Sequence, residues 1–115
     1  MNTRLEVPQI TDLHNLPLDV VNLDSPGVVR ISGLANDGST VDLTWDELAL
    51  SVRIRLVDGG QERLVIERET ALKVSINKED DQVLFSLWSE WQGTSGKLTV
   101  RIGEHVSITD LLLRT

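Results

Sequence analysis

Few residues of this chain have the type and spacing that catalysis requires. There are two histidines, His14 and His105, and neither cysteine nor tyrosine. Glu104 is adjacent to His105, but neighbouring residues of a strand point to opposite faces of a sheet, so this acid–base pair does not converge. The sequence contains no G-x-S-x-G, no H-E-x-x-H and no glycine-rich phosphate loop. We therefore expect no enzyme, no catalytic residue and no cofactor.

An acidic run, Glu79-Asp80-Asp81, is the best candidate for a metal site. Calcium loops, however, space their oxygen ligands along the loop, and three adjacent acids do not reproduce that spacing. We expect the run to form a solvated hairpin tip, and we predict no metal site.

Trp88 is the residue best suited to binding a partner. Alternation along residues 82–91 places a core set on one face of a strand: Val83, Phe85, Leu87 and Trp91. Trp88 then points to the other face, where the predicted pairing puts Arg101 opposite it in one hairpin and Ala71 in the other. A Trp–Arg pair permits a cation–π contact, and both residue types are enriched in binding hot spots. Either Trp88 covers a second apolar cluster, or it anchors an interface.

If Trp88 anchors an interface, the residues around it and an acidic patch form a predicted contact surface. An acidic patch around residues 42–47 would steer a basic partner toward an aromatic centre. The predicted partner-binding residues are Trp88, Glu90, Arg101, Lys73, Asp42, Asp46 and Glu47.

The elements that must position these residues are strands. Four consecutive segments alternate apolar and polar residues, which is typical of strands with one buried face. Their apolar residues are Val52, Ile54 and Leu56; Leu64 and Ile66; Leu72, Val74 and Ile76; and Leu98, Val100 and Ile102. Val28 to Leu34 and Thr40 to Leu43 form an earlier hairpin.

Four turns set the predicted register, because turn length fixes which residues face each other. We expect them at Asn36-Asp37-Gly38, Asp58-Gly59-Gly60-Gln61, Lys78-Glu79-Asp80-Asp81 and Gly93-Thr94-Ser95-Gly96. They pair Ile31 with Leu43, Val29 with Trp45, Leu56 with Leu64, Arg53 with Glu67, Ile76 with Val83, Val74 with Phe85, Trp91 with Leu98 and Leu87 with Ile102.

Three segments fall outside this pattern. Thr44 and Glu47 have the spacing of a capping box, which predicts a short helical turn near Thr44–Leu50 with Trp45 as a core residue. The segment 106–114 suits a strand, although a capping box at Ser107 leaves a helix open. Residues 1–26 contain three prolines and read as irregular, with a short strand at 18–21 and a type II turn at Pro26-Gly27.

Charge restricts the kind of partner. The net charge is −7, and residues 1–50 carry eight acids against two bases. Nucleic-acid binding requires clustered Lys and Arg, so we expect a protein partner, of basic character, and no nucleic acid. No signal peptide or apolar stretch of about 20 residues is apparent, so we expect a cytoplasmic protein that does not bind membranes.

The predicted fold is mainly β. We expect a single domain over residues 1–115, in which an irregular segment 1–26 precedes an antiparallel meander over 27–115. The meander has seven or eight strands and forms a sandwich or a partly open barrel. The sequence leaves open whether the sheet closes and which oligomeric state the protein adopts.

The chain resembles the small immunity proteins encoded beside bacterial polymorphic and contact-dependent toxins. The resemblance is carried by its short length, its start at Met1, its lack of cysteine, its acidity and a β-rich body with Leu87-Trp88-Ser89-Glu90-Trp91 at its centre. It implies a non-catalytic protein that binds a cognate toxin tightly, often a basic nuclease, and covers or blocks its active site.

Two other functions stay open at this point. Trp88 or Trp91 would serve as a stacking platform in a β domain that binds a small ligand or a carbohydrate. Alternatively, edge-strand pairing would build a homo-oligomer, although charged residues on the strands oppose uncontrolled pairing.

Overall fold

The computed structural model describes residues 4–114, which form nine strands and one short helix. Strands β1–β5 form one antiparallel sheet and β6–β9 a second, and each strand pairs with its neighbours in sequence. The bounds are α1 Ile10–Leu13, β1 Leu18–Asn22, β2 Val28–Leu34, β3 Thr40–Asp46, β4 Ser51–Asp58, β5 Gln61–Arg68, β6 Ala71–Glu79, β7 Gln82–Trp91, β8 Thr94–Ile102 and β9 Val106–Arg114. Buried side chains from both sheets share one core. The predicted mainly β fold is confirmed, in its sandwich form.

Trp45 and Phe85 are the largest side chains in this core, each 1% exposed. Trp45 is a core residue as predicted, but it lies in β3 and not in a helical turn. The chain turns after the strand because one oxygen of Asp46, Oδ1, accepts hydrogen bonds from the amides of Leu48 and Ala49, both at 3.0 Å. The predicted helical turn near Thr44–Leu50 is therefore wrong, and Asp46, not Thr44, organises the turn.

The five-stranded sheet has the predicted registers. Ile31 faces Leu43 and Val29 faces Trp45 across β2 and β3. Across β4 and β5, Leu56 faces Leu64 and Arg53 faces Glu67, with a bulge near Val57. The predicted strand at 18–21 is confirmed as β1. The type II turn is also confirmed, because Gly27 has a φ of 77° and the amide of Val28 donates to the carbonyl of Ser25.

In the four-stranded sheet two hairpins are tighter than predicted. The β6–β7 turn consists of Asp80 and Asp81 alone, and Asp80 adopts a φ of 54°. The β7–β8 turn consists of Gln92 and Gly93. The predicted partners of these strands are therefore wrong, with Ile76 facing Phe85, Val74 and Leu98 both facing Leu87, and Trp91 facing Thr94. The segment 106–114 is a strand, as the pattern favoured.

The N-terminal segment covers one edge of this second sheet. The amide of Glu6 donates to the carbonyl of Leu72 at 3.1 Å, and the amide of Val74 donates to the carbonyl of Glu6 at 2.8 Å. Leu5 and Leu13, each 1% exposed, attach the segment to the core. The carbonyl of Leu72 and the amide of Val74, which an edge strand otherwise leaves open to another chain, are thereby used within the molecule.

The two sheets are joined by hydrogen bonds at the end of the sandwich that holds the β2–β3 loop. The amides of Asn36 and Asp37 donate to the carbonyls of Gly103 and Glu104, both at 2.9 Å. The carboxylate of Asp37 in turn accepts from the hydroxyl of Ser39 at 2.5 Å and from its amide at 2.9 Å. These hydrogen bonds, with that of the hydroxyl the largest cause, lower the pKa of Asp37.

This lowered pKa predicts an acid-dependent loss of stability. A folded-state pKa below the unfolded value of about 3.9 means that Asp37 stabilises the fold above that pH, and that this contribution disappears as the pH falls through the lower value. The stability advantage of the wild type over Asp37→Asn should therefore be present at pH 6 and shrink below about pH 4. Urea unfolding of both proteins across this range measures it.

Asp81→Asn is the control, because the exposed Asp81 side chain has no hydrogen bond among the described residues. An advantage of wild type over Asp37→Asn that stays constant from pH 6 to pH 3 would contradict the prediction.

Candidate functional site

Trp88 lies on the outer face of the four-stranded sheet, as predicted, but with different neighbours. Lys73 of β6 and Lys97 of β8 face it across the two ladders. The ammonium nitrogen Nζ of Lys73 lies 5.4 Å from the ring centroid, and that of Lys97 lies 5.2 Å from it. Both distances are within the range of a cation–π contact. Trp88 is half-buried between the two lysines and is not sealed in the core.

Arg101 does not contribute to this arrangement. It faces Leu84, which is 8% exposed although it lies on the outer face. The predicted cross-strand pair of Trp88 with Arg101 is therefore wrong, because the tight β7–β8 turn moves Arg101 four positions along the ladder. Glu90 is exposed and faces Ser95.

The predicted acidic patch belongs to the other sheet. Asp42 accepts a hydrogen bond from the hydroxyl of Ser32 at 2.6 Å and lies 3.6 Å from the guanidinium of Arg55. Asp46 caps the β3–β4 turn, and Glu47 follows it. Asp42 and Asp46 therefore project from the outer face opposite to that of Trp88, and the seven predicted contact residues do not form one continuous patch.

A site missed by the sequence analysis lies at one end of the sandwich, where the sheets separate. A cleft of about 550 Å³ opens there between β5 and the ends of β7, β8 and β9. Trp91 and Leu112 form its apolar wall, and they are 59% and 63% exposed. The expectation that Trp91 belongs to the core is wrong. Its strand face is the predicted one, but β7 extends beyond the cover of the other sheet.

Two features shape this Trp91 cleft. Its buried floor is Gly96, where an added Cβ would come within 3.0 Å of Ser89 Oγ and 3.1 Å of Leu112 Cδ2. Beside it, Arg68 of β5 forms an ion pair with Asp110 of β9, and both side chains are half-buried. The apolar core thus ends at an ion pair between the sheets, with the cleft directly outside it.

The rim of the Trp91 cleft is acidic. Glu67 and Glu69 line it, whereas Glu90 projects from the opposite face of β7. Glu67 lies 3.4 Å from the guanidinium of Arg53, with both side chains well exposed. Glu69 and Glu90 have no ion pair with any other residue in the described part of the chain.

The other candidate residues do not come together. His14, His105 and the acidic tip 79–81 are all exposed. Among residues 4–114, no group of three or more His, Asp or Glu side chains is arranged to hold a metal ion. No helix in the same range is long and apolar enough to cross a membrane.

Comparison with known proteins gives a match at the level of fold. No protein-family model matches the chain, and neither does any curated protein sequence. Among solved structures, the fold is similar to a chain of a contact-dependent growth inhibition toxin–immunity protein complex from Klebsiella pneumoniae 342. The TM-score is 0.78 at 14% sequence identity, over 95% of this chain and 97% of that chain. The two proteins therefore share one fold along nearly their whole length.

Proposed function

We propose that this protein is an immunity protein, which binds a bacterial toxin in the cytoplasm and neutralises it. The observation that carries the proposal is the fold likeness, because it covers nearly all of both chains and the matched chain comes from a toxin–immunity protein complex.

The proposed mechanism is occlusion of the toxin. A net charge of −7 attracts a basic toxin over distances of about a Debye length and raises the association rate. Burial of an aromatic side chain at the interface then slows dissociation, since buried aromatic residues commonly dominate binding energy. Two exposed surfaces are available for this step, the predicted Trp88 surface and the Trp91 cleft.

Growth rescue tests the proposal. The product of the neighbouring gene would be expressed in a sensitive bacterial host, with and without this chain. We expect the chain to restore growth and to co-elute with that product in size-exclusion chromatography. Growth arrest despite soluble chain, together with separate elution of the two proteins, would refute the proposal.

The exposure of Trp91 above a cleft favours one second candidate, a carbohydrate-binding domain. An open aromatic face suits the apolar face of a sugar ring. A saturable change in tryptophan fluorescence on titration with sugars, lost in Trp91→Ala, would support that function; a lack of response to sugars in a chain that rescues growth would leave immunity as the function.

A further inference from the structure

We infer that the Trp91 cleft is the part of the protein that contacts the toxin, and that it receives a toxin segment with a lysine or arginine next to an apolar side chain. The inference rests on the proposed function and names the surface that carries it out. Its grounds are the exposure, the shape and the charge of the cleft.

Exposure of the apolar wall is the first ground. Trp91 and Leu112 are 59% and 63% exposed, and both line the cleft on the inner face of the second sheet. An exposed tryptophan and leucine that share one concave surface are typical of a site that another molecule covers. The other strongly exposed leucines do not line this cleft: Leu111 and Leu113 point to the outer face of the same sheet, and Leu34 and Leu48 lie in other segments.

The shape of the cleft is the second ground. Because Gly96 has no side chain, the floor stays low between Ser89 and Leu112, and the indole of Trp91 stands beside an open space. The Arg68–Asp110 ion pair closes the inner side and keeps the two sheets together there. A single long side chain fits a space of about 550 Å³ open to solvent.

The negative charge of the rim determines which kind of toxin side chain the cleft would receive. Glu67 and Glu69 both line the rim, and Glu69 carries a negative charge without a cationic partner in residues 4–114, whereas Arg68 is already neutralised by Asp110. A cation placed over the exposed indole gains a cation–π contact and lies on the side of the cleft whose rim carries Glu67 and Glu69. An arginine or lysine meets these conditions, and its apolar neighbour would cover Leu112.

The Trp88 surface carries positive charge, unlike the rim of the Trp91 cleft. Its ring is already approached by the ammonium groups of Lys73 and Lys97, so a toxin cation would meet two positive charges there. A basic toxin is therefore better matched by the Trp91 cleft than by the outer face of the second sheet.

Binding of purified toxin, the product of the neighbouring gene, tests the inference by calorimetry. We expect Trp91→Ala and Leu112→Ala to weaken binding by about 30-fold or more, as at interface hot spots. The matched control Leu34→Ala should stay within about twofold of wild type, as surface substitutions usually do. Trp88→Ala probes the competing surface and should weaken binding clearly less than Trp91→Ala. Since Trp91 and Leu112 are exposed, thermal melting should show all four variants folded.

Charge reversal provides the second measurement. Glu67→Lys with Glu69→Lys should slow association about tenfold or more at low salt, and the difference should fade near 1 M salt, where the Debye length is about 3 Å. Glu79→Lys with Asp81→Lys makes the same change in net charge at the far end of β7 and should slow association much less.

The outcomes separate the two proposals. If the wild type binds the toxin and Trp91→Ala binds it within about twofold as tightly, the assignment of toxin binding to the cleft is refuted. The proposed immunity function would then still stand. An equal loss in Trp88→Ala also overturns the assignment to this cleft. Wild type that neither binds the toxin nor restores growth overturns the function, and the cleft inference with it.

Discussion

Replacing Trp45 with alanine is expected to lower the free energy of unfolding by about 3–5 kcal/mol, the range for large aromatic residues removed from a core. Trp45 is 1% exposed, and it lies between Val29 and Val52 in the middle of the five-stranded sheet. The total free energy of unfolding of a domain of this size is about 5–15 kcal/mol, so the variant should be close to unfolding at 37 °C. Urea titration followed by circular dichroism measures the change.

Trp45→Phe is the informative companion. The indole Nε1 is buried and has no hydrogen-bond acceptor among the described residues. Phenylalanine keeps most of the apolar contact and removes this unsatisfied donor, whose burial costs about 1–3 kcal/mol. We therefore expect Trp45→Phe to cost less than half as much as Trp45→Ala. An equal cost for the two variants would show that the shape of the indole, and not its apolar surface, holds this part of the core.

Leu5→Ala is expected to cost about 2–5 kcal/mol, as for other leucines removed from a core. The effect should concentrate in the segment that covers β6, because Leu5 attaches that segment to the core. The amide of Val74 donates to Glu6, so its hydrogen exchange should accelerate in the variant. Hydrogen-exchange mass spectrometry or NMR measures this local loss together with the global one.

Leu48→Ala is the control for Leu5→Ala, since Leu48 is 62% exposed. We expect it to change stability by no more than about 0.5 kcal/mol. Unchanged exchange at Val74 in Leu5→Ala would mean that the N-terminal segment is held by its backbone hydrogen bonds alone.

The hydrophobic pattern predicts the faces of strands better than their partners. The predicted β6–β7 register is displaced by two residues and the β7–β8 register by four. Both displacements are even, and since side chains alternate with a period of two, the residues of β7 and β8 stay on their predicted faces. In β6 a bulge between Ala71 and Lys73 brings Ala71 into the core and leaves the predicted core residue Leu72 only partly buried. The pairing depends on turn length, and neither Asp80-Asp81 nor Gln92-Gly93 is a strong two-residue turn signal such as Asn-Gly.

The changed pairing of β6, β7 and β8 gives the candidate site residues other neighbours than predicted. Trp88 was placed on the correct face, but its neighbours are Lys73 and Lys97 in place of Ala71 and Arg101. Trp91 also has the predicted face, yet it is exposed, because alternation carries no information on where the opposing sheet ends. Its position just before the turn predicted at Gly93-Thr94-Ser95-Gly96 is the available signal, since residues at strand ends extend beyond the core more often than central ones.

Trp45 shows a third kind of error. A capping-box spacing suggested a helical turn, but the apolar residues Val41, Leu43 and Trp45 continue the alternation of β3 up to Asp46. Burial of the indole in the sheet outweighs a local capping preference of about 1 kcal/mol. The side chain that predicted a cap, Thr44, instead faces Arg53 on the outer surface of the sheet.

Pairing of every strand with its sequence neighbours also affects how the molecule is made on the ribosome. All five strands of the first sheet have been synthesised once Arg68 has been added, so that sheet needs no later residue to pair its strands. Synthesis proceeds at about 5–20 residues per second, so the partner layer arrives several seconds afterwards. During that interval the side of the nascent sheet that carries Trp45 has no cover, and this is the stage at which chaperone capture or misassociation of the newborn chain should occur.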